Sequence, residues 1–153
     1  MKSVFNLSIL AAGLLTTQFA LGADCSLSID GNDAMQFSTD ELTVDASCTE
    51  VELTLTHTGA IPRSAMGHNW VLTTESDAQA VYQEGMQAGL KNEYVKSDDE
   101  RIIAHTAVIG GGEETTITFN IENLDVDGDY KFFCSFPGHF ALMQGQFRIV
   151  DNG

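Results

Sequence analysis

Val51-Glu52-Leu53-Thr54-Leu55-Thr56-His57 alternates apolar and polar residues without a break. That is the period of an extended strand with one buried face, here carrying Val51, Leu53, Leu55 and His57. Thr116-Ile117-Thr118-Phe119-Asn120-Ile121 repeats the pattern. Shorter strand candidates lie at 25–29, 68–72, 101–109, 130–134 and 145–150. Turn residues separate them: Asp30-Gly31-Asn32, Thr58-Gly59, Gly110-Gly111-Gly112 and Asp127-Gly128-Asp129. Many short strands punctuated in this way predict an all-β sandwich or barrel. One segment breaks the pattern. Between Ser76 and Leu90, the apolar positions Ala80, Val81, Met86 and Leu90 fit a short helix, with Ser76 or Asp77 as its cap. Gly85 and Gly89 weaken that helix by about 1 kcal/mol each relative to alanine.

The first 22 residues read as an export signal rather than as part of the fold. Lys2 is followed by the apolar run Leu7 to Leu15 and then by Ala20-Leu21-Gly22, which has small residues where a signal peptidase reads. The run is too short and interrupted to span a bilayer, which takes roughly 20 apolar residues. Residues 1–22 are therefore expected to be a signal peptide cleaved before Ala23, leaving 23–153 as a single domain with no membrane span. The chain carries 22 acidic against 7 basic side chains, a formal charge of −15. Removing the leader, whose only charge is Lys2, makes it one unit more negative. Nucleic acid and anionic lipid surfaces are poor partners on electrostatic grounds. The acids are scattered, as on a solvated surface.

Three cysteines in an exported chain leave one over. Three pairings are possible; Cys25 with Cys48 closes a short loop and is the economical one, worth about 3 kcal/mol on the chain-entropy model. Cys134 is then a thiol that needs an occupant or a shield from oxidation. It opens the stretch Cys134-Ser135-Phe136-Pro137-Gly138-His139-Phe140-Ala141-Leu142-Met143, in which thiol, imidazole and thioether are spaced C-x4-H-x3-M. A strand ending at Cys134 and a tight turn at Pro137-Gly138 bring the three to one point. Such a soft donor set favours copper and calls for a second histidine. The candidates are His57, His68 and His105. His57 and His105 lie inside strand patterns, where a structural histidine is the simpler reading, whereas His68 sits at a loop–strand junction after Gly67.

Met66-Gly67-His68-Asn69-Trp70-Val71-Leu72, Ile103-Ala104-His105-Thr106 and 132–143 together resemble the azurins, blue-copper proteins of the cupredoxin family. The likeness runs from Cys25 to about Ile149. It implies a cupredoxin-like Greek-key β-sandwich and a periplasmic carrier of single electrons, not an enzyme. It implies one copper held by His68, Cys134 and His139, with Met143 and the Gly67 carbonyl as long axial contacts. It further implies a Cys25–Cys48 disulfide, and Asn69 tying the His68 loop to the Cys134 loop. His57 resembles a buried azurin histidine that is not a ligand, although Thr58 stands where a proline commonly follows. Ile61, Met66, Met86, Phe136, Pro137, Gly138, Ala141 and Leu142 resemble the apolar docking patch around His139. Redox partners such as c-type cytochromes or a periplasmic reductase are the expectation.

Two other functions fit these residues less well. A Cys134 nucleophile with a histidine base leaves Met143 unexplained and lacks an orienting carboxylate, and a copper oxidase or reductase needs an open position or further metals that four histidines do not supply. A copper chaperone or zinc holder would offer a more exposed and adaptable thiol cluster than one tied to strand ends by a short loop.

Overall fold

A computed structural model describes residues 24–152; the expected signal peptide, 1–22, lies outside the described residues. Among the described residues eight strands and two α-helices follow in chain order, with one turn of 3-10 helix at Leu90–Asn92 after α2: β1 Ser26–Gly31, β2 Glu41–Asp45, β3 Glu50–His57, α1 Arg63–Met66, β4 Val71–Thr74, α2 Glu75–Ala88, β5 Ala104–His105, β6 Glu114–Asn120, β7 Tyr130–Phe133 and β8 Gln144–Val150. They form two sheets, one ordered β1-β3-β6 and the other β2-β8-β7-β4-β5. β1 runs parallel to β3, and β2 parallel to β8; the other pairs are antiparallel. This is a mostly β two-sheet sandwich with an inserted helix.

The alternation in β3 is realised as read. Val51, Leu53, Leu55 and His57 are buried while Glu50 and Glu52 face water. Between the sheets, Trp70 lies within ring–ring distances of 5.6 Å from Phe119, 6.0 Å from Phe132 and 6.2 Å from Phe147. Aromatic pairs at such separations contribute about 0.5–1.5 kcal/mol each beyond the area they bury. Leu42, Val44, Ile29 and Ile149 complete this core. Cys25 and Cys48 are joined in a disulfide, fastening the start of β1 to the turn before β3.

Several boundaries differ from the sequence reading. The helix begins at Glu75, not Ser76 or Asp77, because β4 runs directly into it and Thr74 takes the cap position. The Thr74 hydroxyl donates to the Asp77 carboxylate at 2.8 Å, so Asp77 sits in the first turn. The helix ends at Ala88, where Gly89 leaves helical geometry at φ 74. Gly85 has a use the propensity reading missed: a Cβ there would lie 2.2 Å from the Tyr94 carbonyl oxygen. The expected strand at 101–109 shrinks to Ala104–His105. Further on, the backbone pairs irregularly, Thr106 N–H with the Trp70 carbonyl and Ile109 with His68 in both directions. That exchange is what holds His68, which precedes β4 instead of lying in it.

Candidate metal centre

β7 ends at Phe133 and delivers Cys134, whose N–H donates to the Met143 carbonyl at 2.9 Å. This bond extends the β7–β8 ladder and closes residues 134–143 into one loop. Within it, His139 N–H donates to Phe136 O at 3.0 Å and Met143 N–H to His139 O at 2.8 Å. His68 enters from the other side, fixed by its backbone pairing with Ile109. At Gly67 a Cβ would lie 2.5 Å from both the Arg63 carbonyl and a Val108 methyl, so only glycine lets the backbone pass there.

Three donor atoms converge. His68 Nδ1 lies 3.2 Å from His139 Nδ1 and 4.0 Å from Cys134 Sγ, and the latter two are 3.6 Å apart. A point equidistant from all three in their plane is about 2.1 Å from each, the length of a metal–imidazole bond. Among the described residues, no other group of three His, Cys, Asp or Glu side chains is placed to hold a metal ion. Met143 is fully buried and packs with Cys134, Phe136 and Val108. His57 and His105 are not in the cluster.

Hydrogen bonds set which nitrogen is free. His68 Nε2 donates to the Asn32 carbonyl at 2.8 Å, so Nδ1 carries the lone pair and faces the cluster. His57 stacks on the His68 ring at 4.3 Å. Its Nδ1 accepts from the Gly59 N–H at 3.0 Å, leaving Nε2 to donate to the Met66 carbonyl at 2.8 Å. It is a structural histidine that braces a ligand. Asn69 is fully buried and joins the two loops: its Oδ1 accepts from Ser135 N–H at 2.8 Å, and its Nδ2 donates to Ser135 Oγ at 2.7 Å and Glu93 O at 2.8 Å.

Burial also prepares the donors. It lowers the pKa of His68. Burial, with repulsion from His68 and His57, takes His139 down to about 4. Both imidazoles are thus neutral ligands at pH 7. Burial pushes the Cys134 thiol up to about 12, so binding a cation as thiolate releases a proton. Two neutral nitrogens, a thiolate and a thioether, closed off from water, form a soft site suited to copper in both oxidation states.

Residues 23–150 match the family described as copper binding proteins, plastocyanin/azurin family. The chain belongs to that family. It is 54% identical over 129 residues to azurin-1 of Alcaligenes xylosoxydans, covering 84% of this chain and all of that one. Azurin of Pseudomonas aeruginosa is 48% identical over 149 residues, 97% of each chain. A solved azurin (Az-iso2) of Methylomonas sp. strain J superimposes with a TM-score of 0.81 at 41% identity, covering 84% of this chain and all of that one. Azurins are single-electron carriers and not enzymes, and His68, Cys134, His139 and Met143 make up their single copper site here.

The patch residues fare unequally. Pro137, Gly138, Ala141 and Leu142 are exposed, Leu142 by 61%, and Ile61, Met66 and Met86 are half-buried. Phe136 lies beneath that surface, 8% exposed, with its ring 4.7 Å from His139 and 5.2 Å from Tyr94. Glu93 escaped the sequence reading. It holds Arg63 through both carboxylate oxygens, at 2.6 and 2.7 Å, accepts the Val108 N–H at 2.5 Å, and receives Asn69 on its carbonyl. A glutamate in a polar loop gives no local sign of this.

Proposed function

We propose that His68, Cys134, His139 and Met143 would hold a copper ion, with the Gly67 carbonyl as a further contact. The convergence of the three donor atoms is the observation that carries this reading. Bound copper supplies a one-electron couple between Cu(I) and Cu(II). The residues around it fix the ligands and exclude water. Asn69 ties Ser135 and Glu93 to the His68 loop, and His57 and Asn32 hold the His68 ring from two sides.

Of the four ligand side chains, three have no exposed surface and His139 keeps 3%. Electrons therefore enter and leave at the His139 edge, through the surface of Met66, Met86, Pro137, Ala141 and Leu142, with Phe136 supporting it from below. A small apolar surface suits brief docking of redox proteins, such as c-type cytochromes or a periplasmic reductase. Residues 1–22 serve as the export signal and 23–153 as the mature periplasmic domain; the leader's composition and a family match beginning at residue 23 support this.

An absorption spectrum tests the reading. The copper-loaded protein should show a strong visible Cys–copper charge-transfer band, Cys134→Ser should abolish it, and replacing Met143 should shift the reduction potential with copper retained. A colourless copper-loaded protein would sink the proposal.

A further inference from the structure

Tyr82 lies on α2, outside the ligand set, yet its hydroxyl accepts a hydrogen bond from the Gly138 N–H at 3.1 Å. Gly138 immediately precedes His139. Residues 136–139 form a turn closed by the His139 N–H on the Phe136 carbonyl, with Pro137 in second place and Gly138 in third at φ 86. Proline second and a positive-φ glycine third define a type II turn. The central peptide of such a turn can rotate toward the type I arrangement while the closing bond survives. Its orientation is favoured by the Pro137-Gly138 pair and held by what its N–H meets, and here that is Tyr82.

The tyrosine is itself held. Its ring stacks on Phe140 with centroids 4.6 Å apart and planes at 19°, and Phe140 meets Phe133 edge-on at 5.1 Å. Phe140 directly follows His139, and Phe133 directly precedes Cys134. One helical side chain thus grips the ligand loop on both sides of His139, by a hydrogen bond before it and a ring stack after it. Packing alone would accept a phenylalanine at this position; only the bond to Gly138 uses the hydroxyl.

We propose that Tyr82 is a positioning residue for the copper centre, pinning the Pro137–Gly138 peptide and Phe140 so that the His139 imidazole keeps its place relative to Cys134. The proposal rests on the reading of His139 as a copper ligand. Contacts that orient a ligand from behind set the electronic properties of the metal it holds.

Tyr82→Phe isolates the hydroxyl and keeps the ring. In the copper-free protein it should speed hydrogen exchange at the Gly138 amide about tenfold, the equilibrium worth of one ordinary hydrogen bond, while amides of β7 and β8 exchange as in the wild type. In the copper-loaded protein it should shift the reduction potential and the charge-transfer band. Tyr82→Ala, which also removes the stack, should shift both further; if it does not fold, Tyr82→Phe still supplies both readouts. An unchanged Gly138 exchange rate overturns the pinning. Faster exchange with a wild-type potential and band overturns the positioning role. A wild-type protein without the band would instead sink the copper reading, and the positioning role with it, whatever Gly138 does.

Discussion

Asn69 makes three hydrogen bonds with no surface exposed to water. Asn69→Leu would leave the Ser135 N–H without its partner in the interior and take the closer of two donors from the Glu93 carbonyl. The expected loss is about 1–3 kcal/mol, measured by guanidinium unfolding of the copper-free protein, with a shifted reduction potential once copper is added. The two ligand histidines make a second prediction. Their ordinary pKa is 6.5, and burial lowers both, His139 to about 4. Between those pH values the unfolded chain binds protons that the folded one refuses. Stability of the copper-free protein therefore falls as pH drops from 6.5 toward 4, by on the order of 2 kcal/mol. Unfolding midpoints at pH 7 and pH 4.5 check this, and equal midpoints would contradict it. At this scale the sequence was legible where ligands are neighbours in the chain. Cys134, His139 and Met143 share one short loop, and their spacing speaks directly. His68 needed the family likeness, because three histidines competed for one role. Asn32, Glu93 and Tyr82 were invisible because each acts across the fold, bonding partners 36, 24 and 56 positions away.

α2 yields a prediction whose sign propensity gets wrong. Alanine is the better helix former by about 1 kcal/mol, so Gly85→Ala looks stabilising on the sequence. The Tyr94 carbonyl 2.2 Å from the added Cβ is backbone and cannot swing aside. The variant should lose about 1–3 kcal/mol to overpacking, seen as a lower thermal midpoint; an unchanged or higher one would show that the helix can move away. The same contrast governs what could be read of the elements. β3 and β6 declare themselves because seven or eight residues alternate against a core on one side. β2 passed unread: Leu42 and Val44 alone mark its buried face, in five residues at a sheet edge. α1 is a single turn after Pro62, too short to show a period. The parallel pairings of β1 with β3 and β2 with β8 leave no trace in alternation, since a strand's pattern is the same for either direction of its neighbour.

Over the whole molecule the excess of 22 acidic over 7 basic side chains is one that ion pairing leaves unchanged. Arg63, Lys96, Arg101, Lys131 and Arg148 each sit in an ion pair with a carboxylate. Asp99, beside Arg101, has its pKa lowered mainly by that guanidinium's hydrogen bond. The field beyond the surface is therefore negative, and it is screened within about 8 Å at physiological ionic strength. Oxidation of the reduced protein by a cationic cobalt(III) complex should slow as salt is raised, and oxidation by the hexacyanoferrate(III) anion should quicken. Stopped-flow rates across a salt series decide it; rates flat for both oxidants would mean that the charge does not reach the electron-transfer face. The strand order carries one more implication, about time. β8 separates β2 from β7, and it joins Arg148 to Glu41, 107 positions apart. Closing so long a loop makes this pairing intrinsically slow to form. β8 also begins at the residue after Met143, so the segment that fills the gap in the sheet is the one that seats the last of the four donors. Until β8 docks, Met143 is not held beside Cys134, so the complete set of donors depends on the strand that the fold places between β2 and β7.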